Sequence, residues 1–376
     1  MHYLIFLGRD FVSYENRKEI LLKIKEKRKR PIITYVTSIR HNLSTPMAAD
    51  AIPFIVKQID QQEDNDEVDF LIVSNGGDAI TAQRIINLLR EKYNKVNILI
   101  PYVAYSAATI LSMGGDSIVM HKYSNLGPVD PQITTKKPND KGTVNNLSFG
   151  SEDVKYFIEF LRKDAKIKNG SITSSMIPLI NEAGPLAIGF SKRSQQLSLD
   201  LSKKLLKQHI TKKSVIKKIT KHLNTSFNHS YAFSRTEAKN IGLNVIYPDK
   251  ELEDLLWNLW LDYESELKAD IPFDLNNEII SDPNVAKIIK NYQTISMPVN
   301  LPLNMAQGQI QQLVNQNKLI SSNNNTAVTL NLTLGCIESI ISAYHFNTNL
   351  DITVWRNLDQ NIGLNTFQSS KGWIKI

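Results

Sequence analysis

The sequence predicts an α/β fold built on a parallel sheet, and two observations predict it. Two apolar runs, Leu71-Ile-Val-Ser-Asn-Gly-Gly-Asp78 and Pro101-Tyr-Val-Ala-Tyr-Ser-Ala-Ala-Thr109, each end abruptly in small residues and then turn helical. Such strand-to-helix corners place backbone N–H groups and one side chain at the carboxyl edge of a sheet, where α/β proteins build their sites. Strand and helix patterns also alternate through the first third of the chain, the rhythm of right-handed βαβ units.

Taken in order, residues 12–30 form a charged helix ending at Pro31, a lead-in over 1–30. Ile32–Val36 is the first core strand, and Thr45-Pro46 caps a helix over 47–60. Val68–Val73 is the second strand, followed by an amphipathic helix over Ala79–Glu91. Val96–Val103, the short apolar helix Ser106–Met113 and the strand Ser117–Met120 complete the alternation. Residues 151–222 are mainly helical, and Ser234-Arg-Thr-Glu237 is a capping box that opens a further helix. These elements set a main domain over 31–268. Beyond it, 269–326 reads as linker or long loops, rich in Asn, Gln, Pro and Ser from 296 on. Strands at Ala327–Leu332 and Leu350–Val354, around a helix over Ile337–Tyr344, suggest a small C-terminal α/β module over 327–376.

Composition bounds the function. A chain of 376 residues with 42% hydrophobic and 22% charged residues buries a sizeable core as a soluble protein. The single cysteine, Cys336, excludes an intramolecular disulfide framework and suits a reducing compartment. No stretch reads as a secretion signal or a membrane span, so a cytoplasmic location without membrane attachment is expected. The seven His lack metal-ligand spacing and no Gly-x-Gly-x-x-Gly loop occurs, so neither metal nor cofactor is expected. Of the net charge of +7, the segment 192–222 alone contributes +9. Its apolar residues recur at helical spacing, giving amphipathic helices whose basic face suits an acidic partner. Base-reading motifs with interleaved aromatics are lacking, which argues against nucleic acid.

Amide or ester cleavage needs a nucleophile, a base, and donors aimed at the developing oxyanion. Ser106 lies at a helix start among small residues, and the N–H of Ala107 with one from Gly76 or Gly77 would form the oxyanion hole. Glycine matters there because a Cβ would block substrate or strain the turn.

The order strand–Asn-Gly-Gly-Asp–helix, strand–Tyr-Ser-Ala-Ala-Thr–helix, Gly-Gly-Asp-Ser-Ile and Leu-Gly-Pro-Val-Asp-Pro-Gln resembles the serine dehydrogenase proteinase family. That family belongs to the Clp protease/crotonase superfamily and is related to signal-peptide peptidase A. The resemblance spans roughly residues 30–250 and includes His229–Val245. It implies a Clp/crotonase-like spiral of ββα units with helical additions, a serine nucleophile at Ser106, a peptide or protein substrate, and homo-oligomers. In Clp-type subunits a His follows the serine by about 25 residues and an Asp precedes the Glu-Ala helix. Here Asp130 holds the first place and His229 the second, so a triad Ser106–His229–Asp130 has its two residue types exchanged. His121 at a strand end is a further candidate base. Peptidase-A relatives use a Ser–Lys dyad, for which Lys155 and Lys163 are the candidates. Two other readings stay open: a catalytically inactive Clp-like scaffold or regulatory subunit, and a crotonase-type enzyme acting on an acyl-CoA.

Overall fold

The computed structural model describes residues 13–138, 144–225, 231–290, 300–315, 325–356 and 361–376. An eight-stranded mixed sheet runs through it in the order β10-β5-β3-β2-β1-β11-β12-β13. Strands β1 (Ile32–Thr37), β2 (Glu67–Val73), β3 (Lys95–Ile100), β5 (Ser117–Met120) and β10 (Val245–Ile246) are parallel. Short strands β4 (Val103–Ala104), β6 (Asn125–Leu126) and β9 (Phe233–Ser234) make a second small sheet, and β7 (Gln132–Pro138) and β8 (Val144–Gly150) a hairpin.

The parallel strands are apolar on both sides because both sides are covered. Ile33, Tyr35, Phe70, Ile72, Ile98 and Ile100 face one core, packed by α2 (Ile52–Gln61), α3 (Ala79–Lys92) and α4 (Ala107–Ser112). Ile32, Val36, Leu71, Val73 and Leu99 alternate to the other side, under α1 (Tyr14–Arg28) and α10 (Lys250–Glu266). The helices α5 (Ser151–Glu159), α6 (Asn169–Ala183), α7 (Pro185–Leu206) and α8 (Lys213–Thr225) fill the stretch 151–222 expected to be helical, and α9 (Arg235–Ile241) follows the capping box. That box forms, with Ser234 Oγ accepting from Glu237 N and Glu237 accepting from Ser234 N.

Three local expectations are corrected. The helix expected over 47–60 starts later, as a turn at Ala49–Ala51 and then α2, because Met47 is extended. Its N–H donates to Gly76 O at 2.7 Å and its carbonyl accepts from Asp78 N at 2.9 Å. The stretch read as linker contains α11 (Leu275–Ile280), α12 (Pro283–Lys290) and α13 (Leu303–Asn315). Ile337–Tyr344 is no helix: it is the end of β11 (Asn325–Glu338), a turn, and the start of β12 (Ala343–Arg356). Ser339 N donates to Ser342 O at 3.0 Å to close that turn. With β13 (Ile362–Lys375), these strands extend the main sheet antiparallel from β1, pairing Tyr35 with Ile337 and Thr37 with Gly335.

A buried ion-pair network fastens this extension. The fully buried Arg17 of α1 donates through Nε and Nη2 to Glu338 at 2.9 and 2.8 Å, and through Nη1 to Asp262 of α10 at 2.7 Å. His345 Nε2 and Tyr263 Oη also donate to Glu338, at 2.8 and 2.9 Å. Burial pushes the Glu338 carboxyl up, but the hydrogen bonds from His345 and Arg17 outweigh it and hold it below the usual glutamate range. Cys336, Glu338 and His345 have ligand-type atoms within 4.8 Å of one another. Their carboxylate is already satisfied by Arg17, so a cation would have to displace a guanidinium, and the cluster reads as structural.

Candidate active site

The corner at Ser106 is built by backbone pairing before any side chain acts. Ser74 N donates to Val103 O at 3.1 Å and Tyr105 N to Ser74 O at 2.9 Å, so the end of β2 is zipped to β4. Thr109 Oγ1 lies 2.8 Å from both Ala104 O and Gly127 O, which share its one proton, and this pins the entry of α4. Between these clamps Ser106 takes φ 51° and ψ −114°, a conformation that an L-residue seldom adopts and that costs on the order of 1–3 kcal/mol. Such strain persists only where the surroundings over-determine it. The side chain is half-buried and, among the described residues, makes no capping or other hydrogen bond.

The Gly-Gly turn lies directly against this corner. A Cβ on Gly76 would stand 2.7 Å from Ser106 Cβ and 2.9 Å from Ala107 N, so only glycine fits, and φ is +103°. The Gly76 N–H is used internally, donating to Ser74 Oγ at 3.0 Å, and Ser74 in turn accepts from Thr37 Oγ1 at 2.9 Å. Among the described residues, the Gly77 and Ala107 N–H groups have no hydrogen-bond partner. Gly77 is also at positive φ, +143°, and a Cβ there would meet the Met47 backbone at 2.3 Å. A side chain at Gly77 therefore collides with the fold rather than with substrate.

Asp130 is buried, with Oδ2 accepting from Gln132 Nε2 at 2.8 Å and Oδ1 from Ser151 Oγ at 3.2 Å. His229 lies outside the described residues, but the chain on either side of it is fixed near Asp130. Val129 N donates to Leu223 O at 2.7 Å, near the end of α8, and Leu126 pairs with Phe233. Leu126 pairs on its other side with Ala104, two residues before Ser106.

The remaining candidates lie elsewhere. Lys155 is 46% exposed and bonded to Glu152 at 2.8 Å, a bond that raises its pKa, the opposite of what a lysine base needs. Lys163 is 72% exposed and paired with Glu159 at 3.0 Å. His121 is buried, accepts from Tyr123 N at 3.2 Å and stacks on Trp257 with centroids 4.9 Å apart. Burial pushes its pKa down. Sequence reasoning missed Ser74, Thr37, Met47 and Thr109, which hold the corner and the turn. Their signal was weak, since small polar residues beside strand ends are common.

In comparison with known proteins, residues 8–142, just over a third of the chain, are similar to the family described as ClpP-like SDH-type serine proteinase. Two uncharacterized proteins of Methanocaldococcus jannaschii are 36% and 32% identical over 66 residues, 18% of this chain. The chain spans 23% of the length of each of these relatives. Among solved structures, the catalytic domain of the ClpP protease from Plasmodium falciparum is 12% identical with a TM-score of 0.32. That match covers 66% of this chain and 97% of that domain. No helix of the described residues is long and apolar enough to cross a membrane.

Proposed function

We propose that this protein is a serine-type hydrolase of peptide or ester bonds, with Ser106 as nucleophile, Gly77 and Ala107 N–H as oxyanion donors, His229 as base and Asp130 as its orienting carboxylate. One observation carries the reading: a strained serine, unbonded among the described residues, sits at a strand-to-helix corner packed against Gly76, and the N–H groups of Ala107 and Gly77 in that corner and turn are unpaired among the described residues. The Ser106 Oγ attacks the substrate carbonyl while its proton passes to the His229 imidazole. The oxyanion forms against the two N–H groups, each such donor being worth about 2.7–4 kcal/mol in the transition state. Collapse then expels the amine, which leaves with that proton, and water hydrolyses the acyl-enzyme by the same route in reverse.

The anchoring of Leu223 to Val129 and of Phe233 to Leu126, just before Asp130, supports His229 over the lysines, whose amines are already ion-paired. The test is hydrolysis of a fluorescent casein across pH. Activity is expected to fall as pH drops through a histidine ionisation, lifted above the unperturbed value of about 6.5 by a carboxylate neighbour. His229→Gln should cost several orders of magnitude and Asp130→Asn less. Full activity in His229→Gln would remove histidine from the mechanism.

Self-association fits the same reading. On α5 to α7 the chain leaves Tyr156, Phe160, Ile177, Leu186, Phe190 and Leu197 exposed, Leu186 at 87%. Exposed large apolar side chains repeated along consecutive helices suit an interaction surface. Light scattering at tens of micromolar should report an oligomer, and Leu186→Glu with Phe190→Glu should shift it toward monomer. The basic face of α7 and α8, with Lys203, Lys204 and Lys207 together, then suits an acidic partner in a salt-sensitive contact. Buried Cys336 fits a reducing, cytoplasmic setting.

A further inference from the structure

The C-terminal strands do more than widen the sheet. Where β11 to β13 meet β1 they enclose a cavity of about 260 Å³ next to the Thr45–Asp50 segment. Tyr35 of β1, Leu334 of β11, Phe346 of β12 and Trp373 of β13 give it apolar and aromatic walls. The Trp373 ring lies 5.2 Å from Phe346 and 6.3 Å from Tyr35, centroid to centroid, and its Nε1 donates to Asp50 at 3.0 Å. That bond orients the indole and engages Oδ2 of Asp50, the one acidic group among the residues lining the cavity. Lys371 also lines it, with Nζ 5.6 Å from the Phe346 centroid. Among the described residues Lys371 has no carboxylate within 4.0 Å, which leaves its ammonium available at the cavity.

We infer that this cavity binds a small carboxylate bearing an aromatic or bulky apolar group, the chemistry found in a free acid or at the C-terminus of a peptide. The volume falls just below the roughly 300–1,000 Å³ of pockets that hold drug-sized ligands, so it matches a single large side chain. Aromatic walls favour a flat or branched apolar group, and an unpaired ammonium at the rim favours a carboxylate through a charge-assisted hydrogen bond. Strands β11 to β13, which complete the cavity, lie outside the 8–142 family match, whereas Tyr35 and the Thr45–Asp50 segment lie within it. It shares the Met47 segment with the Gly77 turn, since Pro46 and Ala48 line the cavity while Met47 itself pairs with Gly77.

Calorimetry on the full chain tests this with N-acetyl-L-phenylalanine, its amide, and the tripeptide Gly-Gly-Phe. The acid should bind saturably and about tenfold tighter than the amide. Binding of Gly-Gly-Phe as well would identify a peptide C-terminus as the source, and its exclusion a free acid. Lys371→Met, at an exposed position, should erase the preference for acid over amide while leaving the melting temperature unchanged. Ser106→Ala should bind all three as the unaltered protein does, which separates this site from the hydrolase reading. Equal binding of acid and amide, an undiminished preference in Lys371→Met, or no saturable heat at millimolar acid would overturn it.

Discussion

Ser106→Ala is expected to remove hydrolysis, with a loss on the order of 10⁶-fold in kcat if Ser106 acts as the nucleophile of a cooperating set. The fold should survive, because the corner is held by Ser74, Thr109 and the β4 pairing rather than by the Ser106 hydroxyl, which is unbonded among the described residues. Ser106→Gly makes a sharper pair with it. Glycine adopts positive φ freely, so this variant should be as inactive as alanine yet more stable than the unaltered protein by about 1 kcal/mol. Urea melts of the three proteins, with turnover measured on the same samples, read both effects. A gain in stability with loss of function would mark the strain at φ 51° as part of the site.

Arg17→Met is expected to have the largest effect on stability. It leaves the Glu338 carboxylate buried without its guanidinium, a change that typically costs about 3–5 kcal/mol. Because α1, α10, β11 and β12 all meet at this network, the C-terminal strands should loosen first. The pH dependence follows from Glu338, whose carboxyl is held below its unfolded value. Stabilisation from its pairing is fully present above the unfolded glutamate pKa, about 4.3, and is lost as pH falls through the lower folded value. In Arg17→Met nothing offsets burial to the same degree, so that carboxyl should protonate more readily. The deficit relative to the unaltered protein should therefore be greatest near neutrality and shrink in acid, as urea melts at pH 7 and pH 4 would report.

Much of the core was legible from residue order. The corners at Ser74–Asp78 and Ala104–Thr109 fell where the small residues place them, because a parallel strand that ends in glycine or serine has few ways to continue. The capping box at Ser234 also formed as read. What failed was decided by partners distant in sequence. Ile337–Tyr344 carries apolar residues at helical spacing, yet Glu338 is claimed by Arg17, 321 residues earlier, and the segment closes the β11–β12 hairpin instead. Met47 looks helical locally and is extended because Gly76 and Asp78 take its backbone groups. The open Gly77 N–H could not be told from the Gly76 N–H in the sequence, since the choice depends on Ser74 Oγ reaching one of them.

The central claim is that Ser106 is a reactive nucleophile beside an oxyanion pocket. A fluorophosphonate probe tests it most directly, because phosphonylation needs both an activated serine and donors for the phosphoryl oxygen. The unaltered protein should take up one probe per chain, peptide mass spectrometry should locate it on Ser106, and Ser106→Ala should take up none. An unlabelled protein, or label equally retained in Ser106→Ala, would contradict the account.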